Sequence, residues 1–101
     1  MIDNAVFNHR VVIDPKGHKV GTVSDVVSDA VTLEPRWLVV DTGLLRSSHY
    51  VPVTGAQHSQ SGEIVVPFDK ETVTHATKAH GSHVLSSTEE HDLAEHYHLA
   101  N

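Results

Sequence analysis

The sequence predicts a mainly β fold: a small barrel of five to six antiparallel strands followed by a short C-terminal α-helix. Short apolar runs dominated by Val recur between residues 6 and 67, and turn-forming residues separate them. β-branched residues favour pleated, half-buried strands. No pattern of a sizeable helix occurs before residue 87. Several short strands with turn signals between them, and a helix only at the end, are typical of a small antiparallel barrel or roll.

The chain has 101 residues, which is room for one domain. We predict a barrel domain over residues 1–76, a linker over 77–86 and a C-terminal helix over 87–101.

The first two strands are predicted to form a hairpin. Residues 6–13 end in an apolar cluster, and residues 14–17 read Asp-Pro-Lys-Gly. In such a turn Pro presets φ, Asp bonds the backbone ahead of it, and Gly17 tolerates a left-handed conformation. A Val-rich second strand follows over residues 20–27. Gly21 inside this strand indicates a bulge or a close approach of two backbones.

The central stretch, residues 35–53, predicts a strand, a tight loop and a second strand. The continuous apolar run at 37–40 indicates a strand buried on both faces. Residues 41–43 break the run at a glycine, 46–49 form a polar tip, and the next strand returns from residue 50. Pro52 has no N–H for a ladder, so it belongs at a sheet edge or a bulge. The connection before this stretch, residues 28–34, has some β character at 31–33.

Residues 54–62 are predicted to be a polar loop, and residues 63–67 a short final strand. Asp69 is predicted to cap a single helical turn that ends near Val73.

In the tail, Ser87 and Glu90 have the spacing of a capping box. Leu93 and Tyr97 lie four residues apart and share one helix face. Because a helix of about three turns is not stable alone in water, we expect this one to dock on the barrel or on a partner, or else to fray.

Four segments together resemble the PRC-barrel domain family. They read VIDPKGHKVGTVSDV at 12–26, EPRWLVVDTGL at 34–44, YVPV at 50–53 and VVPFDK at 65–70. Their order matches the family's opening hairpin, its Pro-x-Trp strand with a following Gly, its later strands and its closing turn. The resemblance covers roughly residues 6–76.

The tail is similar to the ending of stand-alone bacterial PRC-barrel proteins, particularly actinobacterial ones. That ending usually reads His-Tyr-Gly-Leu, whereas here residues 96–99 read His-Tyr-His-Leu, with His98 in place of Gly. Thr77 stands near a position where Pro is common.

The resemblance implies a binding role and no catalysis. The family includes the cytoplasmic part of the photosynthetic reaction-centre H subunit and the C-terminal domain of a ribosome maturation factor, and both act by binding other macromolecules. We therefore expect a non-enzymatic protein-interaction module of the adaptor type. By analogy with the maturation factor, a third hypothesis is an RNA- or ribosome-associated role. The acidic charge balance disfavours this role.

The formal net charge is −6 with histidine neutral, and there are 7 Lys plus Arg. Because nucleic acids and anionic membranes bind through cationic side chains, this balance argues against both as partners. The N-terminal residues lack the pattern of a signal peptide, and no apolar stretch has the length of a membrane span. The absence of Cys excludes disulfides and thiol chemistry. We expect a cytoplasmic protein with no membrane insertion.

We predict an interaction surface near the central stretch, made by Trp37, Leu44, Arg46, His49 and Tyr50. Trp37 by itself is typical of a core or groove-lining residue. Exposed apolar patches mark association sites, and for so small a chain we expect a second copy, joined through a two-fold contact, as well as an unidentified protein partner.

One group of residues near the central stretch resembles a catalytic site. Ser47, Ser48 and His49 lie near Asp41, but adjacent side chains on a strand end point apart, so we predict no catalytic residues.

The ten histidines raise the alternative of a His-rich, pH-responsive protein that binds a metal or another ligand. His91 has Glu95 and His96 nearby in sequence, and further histidines stand upstream at 75, 80 and 83. Their spacing is irregular and typical of solvated surface residues, so we predict neither a metal site nor a cofactor.

Overall fold

The structure is a computed structural model that describes residues 7–29, 31–43, 47–76, 78, 79 and 85–99. One six-stranded sheet lies at its centre. The described elements are β1 (Val11–Ile13), β2 (Lys19–Ser28), β3 (Pro35–Asp41), β4 (Ser48–Pro52), β5 (Gln57–His58), β6 (Ile64–Val65), α1 (Lys70–Thr74) and α2 (Ser87–His96). The prediction of a mainly β fold with a short C-terminal helix is confirmed.

The sheet has the strand order β4-β3-β2-β1-β6-β5 and is open, with β4 and β5 at its two edges. It is also mixed, which corrects the expectation of antiparallel pairing throughout. Val12 pairs with Ile64 and Ile13 with Val65 in parallel, whereas the other neighbouring strands are antiparallel. The short β5–β6 hairpin brings the chain back beside β1 in the direction of β1. The pattern of apolar and polar residues in a strand does not indicate whether the strand pairs with its neighbour in parallel or antiparallel.

The opening hairpin turn has the predicted structure. Asp14 Oδ1 accepts hydrogen bonds from the backbone N–H groups of Lys16 (2.9 Å) and His18 (2.8 Å). Gly17 has φ of 86°, in the left-handed region that glycine tolerates. The strand before the turn is shorter than predicted, because residues 7–9 form a turn and pairing begins at Val11.

The core lies between the sheet and the two helices. Buried apolar side chains come from β1 to β4, β6 and both helices, and they include Val12, Val23, Leu38, Val40, Tyr50, Val51, Ile64, Val73 and Leu93. The run at 37–40 is buried except for the half-buried Val39, as expected for a strand covered on both faces. Pro52 lies at the end of the edge strand β4, as predicted.

Both helix starts are capped by side chains. The predicted cap of α1 is confirmed, since Asp69 accepts from the Thr72 N–H at 2.8 Å. The predicted cap of α2 is wrong by one residue: the capping box joins Ser86 and Glu89, not Ser87 and Glu90. The sequence Ser-Ser-Thr-Glu-Glu fits both registers. The tertiary structure selects the first, because Glu90 is engaged by the Trp37 indole N–H at 3.3 Å.

The end of α2 has a left-handed residue at position 98, where the resemblance leads us to expect glycine. His98 has φ of 57°, and the N–H of Leu99 bonds the Ala94 carbonyl at 2.8 Å. A left-handed residue after the last turn, with a hydrogen bond closing over it, is the usual C-terminal cap, and Gly is favoured there. His98 occupies this position at the steric cost that a side chain adds.

Helix α2 docks on the sheet of its own chain. Leu93 and Tyr97 are buried, and the Tyr97 hydroxyl donates to the Tyr50 carbonyl of β4. The Tyr97 ring lies 4.6 Å from that of Phe68, centroid to centroid. Burial raises the pKa of Tyr97, so the hydroxyl stays protonated and keeps its role as a donor. Of the two docking partners predicted for this helix, the structure selects its own barrel.

Candidate interaction surface

The β2–β3 loop presents two large apolar side chains to solvent. Val31 is 89% exposed and Leu33 is 72% exposed, with the exposed Thr32 between them and the exposed Glu34 after them. We call these two side chains the apolar tip. Large apolar groups are normally packed, and contiguous exposed ones mark association sites.

Asp29 bonds the backbone of the residues that carry the apolar tip. Its Oδ1 accepts from the N–H groups of Val31 (2.8 Å) and Thr32 (2.9 Å). Its backbone carbonyl accepts from the Leu33 N–H at 2.9 Å, and its own N–H bonds the Glu34 carbonyl at 2.8 Å. Leu33 has φ of 62°, a left-handed conformation that costs a non-glycine residue about 1 kcal/mol. These hydrogen bonds offset that cost and fix the backbone at residues 31–34 to Asp29.

These hydrogen bonds shift the protonation of Asp29. The N–H groups of Thr32 and Val31, with the Arg36 guanidinium, lower the pKa of Asp29 to about 2. A lowered carboxyl pKa stabilises the folded loop above the ordinary value of 3.8, and this contribution is lost as the pH falls through about 2.

We expect the amide resonances of Val31 and Thr32 to follow this titration. In an NMR pH series their shifts should change with a midpoint near 2, the pKa of Asp29, because the carboxylate that they bond is protonated there. Asp29→Asn should abolish the transition, while Asp92→Asn, an exposed control, should leave it in place. A midpoint near the ordinary 3.8 would contradict this description of the loop.

A groove lies beside the loop, between α2 and the ends of β3 and β4. It has a volume of about 520 Å³, and its lining includes the apolar Trp37, Ala94 and Leu99 with Glu90 and His91 beside them. We call it the α2 groove. A smaller depression of about 260 Å³ continues it across Pro52 and Val53.

Arg36 connects the loop to the groove. One guanidinium nitrogen lies 3.2 Å from Asp29 Oδ2, and its Nε lies 3.6 Å from Glu90 Oε1. Because one side chain touches both, Asp29 of the loop and Glu90 of the α2 groove lie close to each other. The Arg36 side chain is 48% exposed, so these ion pairs position groups more than they stabilise the fold.

Of the five predicted surface residues, three are described by the structure and all three are buried. Trp37, His49 and Tyr50 are 3%, 3% and 2% exposed, so their side chains belong to the core, and Trp37 also borders the α2 groove. Leu44 and Arg46 lie outside the described residues, and their part in a surface stays a prediction. Sequence reasoning missed Val31 and Leu33. The sequence signal for these two residues is the apolar-polar-apolar alternation that they form with Thr32, and this alternation predicts β character.

The residues that resembled a catalytic group bond the backbone. His49 is buried, and its Nδ1 donates to the Ala76 carbonyl at 2.9 Å. The Asp41 carboxylate accepts from the Gly43 N–H at 2.8 Å. Both side chains thus hold local structure.

Some of the described histidines lie near one another: one open depression is lined by His75, His96 and His98 together with acidic residues of α1 and α2. His91 pairs with Glu95 at 3.1 Å on the surface of α2, and His75 and His96 each bond a backbone carbonyl. Within the described ranges, no three His, Asp or Glu side chains are grouped as a bound metal ion would require. His80 and His83 lie outside those ranges.

Comparison with known proteins settles the family. The model of the PRC-barrel domain matches residues 7–73, about two thirds of the chain. The chain belongs to the PRC-barrel family. The family prediction is confirmed, and the matched PRC-barrel segment ends within α1. Helix α2 therefore lies outside the match, and the α2 groove joins PRC-barrel residues to a segment beyond it.

No curated protein matches the chain. In the part of the chain that the structure describes, neither helix is long and apolar enough to cross a lipid bilayer.

Proposed function

We propose that this PRC-barrel protein is a non-enzymatic interaction module that acts as an adaptor and associates with itself. The observation that carries the proposal is the apolar tip, in which Val31 and Leu33 are exposed and their backbone is bonded by Asp29. Exposed apolar side chains of this size mark association sites, because their burial against a partner removes apolar surface from water.

The hydrogen bonds of His49 and Asp41 support a role without catalysis. A general base must reach the proton that it removes. The buried His49 ring donates to the Ala76 carbonyl, and the Asp41 carboxylate accepts from the Gly43 N–H. A position in the bacterial cytoplasm completes the proposal, and it rests on the family resemblance.

Self-association is expected to depend on the apolar tip. We expect the molar mass from light scattering to rise with concentration from 11.0 kDa towards that of a dimer. The double variant Val31→Ser, Leu33→Asn should remain monomeric, because it removes the apolar contact while Asn tolerates the left-handed backbone at position 33. Its thermal stability should stay close to that of the wild type, since both side chains are exposed.

The matched control is Thr32→Ser, which changes the exposed residue between the two without removing a large apolar side chain. It should associate as the wild type does. A wild-type protein that stays at 11.0 kDa up to millimolar concentration would refute the proposed self-association.

A further inference from the structure

We infer that the recess between the start of β2, the end of β3 and the start of α1 binds a small phosphorylated molecule through the ammonium groups of Lys19 and Lys70. We call it the lysine recess. It has a volume of about 290 Å³ and is lined by residues 19–22, 41–43 and 70. The inference goes beyond the proposed adaptor role and is independent of it, because it uses neither the apolar tip nor the α2 groove.

The first argument is that two lysines without partners meet in a chain that has few cations. The chain has 7 Lys plus Arg and a formal net charge of −6. Lys19 and Lys70 line the same recess although they are far apart in sequence. Within the part of the chain that the structure describes, neither ammonium group takes part in an ion pair or a hydrogen bond. Ammonium groups that share a recess in this way attract an anion.

The second argument is that the carboxylates beside the recess are bonded by the backbone. Asp41 lines the recess, and its Oδ1 accepts from the Gly43 N–H at 2.8 Å. Asp69 is next in sequence to the second lysine, but its Oδ1 accepts from the Thr72 N–H at 2.8 Å and caps α1. Neither carboxylate forms an ion pair with the two lysines. With two ammonium groups and one carboxylate, the lining of the recess keeps a positive charge.

The third argument is a hydroxyl donor on the wall of the recess. Thr22 is half-buried and lines the recess, and its hydroxyl has no hydrogen-bond partner among the described residues. Its backbone pairs with that of Asp41 across β2 and β3. Gly21 beside it lets the strands approach so closely that a Cβ there would lie 2.3 Å from the Asp41 carbonyl oxygen. The sheet thus positions this wall, and hydroxyl and ammonium groups are among the side-chain groups that bind phosphate oxygens.

The charge and size of the recess select the class of ligand. A phosphomonoester carries a charge of about −1.5 to −2 at pH 7, which two ammonium groups match. Small-molecule sites in proteins have volumes of about 300–1,000 Å³, and the lysine recess, at about 290 Å³, lies at their lower limit. A phosphate group with a short organic part therefore fits better than a nucleotide. The net charge of −6 disfavours a polyanion such as a nucleic acid.

A titration followed by NMR tests the inference on the full chain. Inorganic phosphate and glycerol 2-phosphate are added at constant pH, and glycerol is the uncharged control. We expect the amide resonances of Gly21, Thr22 and Gly43 to shift and to saturate with both phosphates but not with glycerol. Added KCl should weaken binding, because the attraction is electrostatic.

Substitutions assign the binding to the recess. Lys19→Gln and Lys70→Gln should each weaken binding at least about tenfold, because each removes a charge-assisted contact to the phosphate. Lys78→Gln is the matched control: it removes the same charge from an exposed position outside the recess, and should weaken binding by less than about twofold. Asp41→Asn should strengthen binding, because it removes the negative charge and keeps an oxygen that can accept from the Gly43 N–H.

Thermal unfolding gives a second readout. A ligand that binds only the folded chain raises Tm as its concentration increases, and phosphate also stabilises proteins in general because it is excluded from their surface. The Tm of the wild type should therefore rise more steeply with phosphate than that of the double variant Lys19→Gln, Lys70→Gln. Circular dichroism shows whether the double variant is folded; if it is not, the single variants decide the question by NMR.

The comparison of the three lysine variants gives the decisive result. Saturable shifts at the recess that Lys19→Gln and Lys70→Gln weaken, and that Lys78→Gln leaves nearly unchanged, support the inference. Shifts that do not saturate at tens of millimolar phosphate overturn it, and so does an equal loss in all three variants, which would show attraction without a site. Weaker binding by Asp41→Asn would also overturn it, since the carboxylate would then be a contact of the ligand and the ligand not an anion.

Discussion

Replacing Gly21 by Ala is expected to destabilise the fold by about 3 kcal/mol, at the upper end of overpacking effects. A Cβ at this position would lie 2.3 Å from the Asp41 carbonyl oxygen and 2.7 Å from Val40 Cγ1. The oxygen belongs to the backbone of β3, which β2 pairs with at Thr22 and Asp41. It can move away only if that pairing is disturbed, so denaturant unfolding should show a much lower midpoint.

Gly43→Ala is the matched control for this clash. Gly43 has open space around its Cβ position but φ of +78°. Ala there should cost about 1 kcal/mol, from the left-handed backbone alone. If the two variants lost equal stability, the close approach of the β3 backbone would not be the reason for glycine at position 21.

Replacing Leu93 by Ala is expected to cost about 3 kcal/mol and to release α2 from the sheet. Leu93 is 1% exposed, and it is the buried residue within the ten-residue helix. A helix of this length is not stable alone in water, so loss of its anchor should also lower the helical signal in circular dichroism. Hydrogen exchange should show early opening of α2 before the sheet unfolds.

Two controls accompany the Leu93 variant. Asp92→Ala, at an exposed neighbouring position, should change stability little. Tyr97→Phe should cost about 1 kcal/mol, because it removes only the hydroxyl that bonds the Tyr50 carbonyl. Retention of full helicity in Leu93→Ala would show that α2 is held by other contacts.

Local rules predicted much of the fold. The turn at Gly17, the close approach at Gly21 and the cap at Asp69 each depend on a few neighbouring residues, and the structure contains all three. The predicted position of the α2 cap is wrong by one residue because two serines and two glutamates fit the same motif. Only the contact from Trp37 to Glu90 separates the two registers.

The candidate surface was harder to predict because exposure is a property of the packed molecule. Trp37 by itself is typical of a core residue, and the predicted surface grouped it with Tyr50. In the structure both side chains are buried, and the Tyr50 carbonyl accepts from the Tyr97 hydroxyl of α2. His49 lies on β4, where residues 78 and 79 add a bridge along the outer edge of the strand. Val31 and Leu33 have the composition of a strand. The backbone of Asp29 instead bonds Leu33 and Glu34, and both apolar side chains are exposed to solvent.

The sequence by itself determined the family, the β-rich class, the turns and the presence of a terminal helix, because each follows from residues close together in the chain. The tertiary structure decided the parallel pairing of β1 with β6, the docking of α2 and the exposure of the apolar tip. These depend on which distant segments exclude water from one another. The net free energy of such contacts is set by the whole packed arrangement and not by any local pattern.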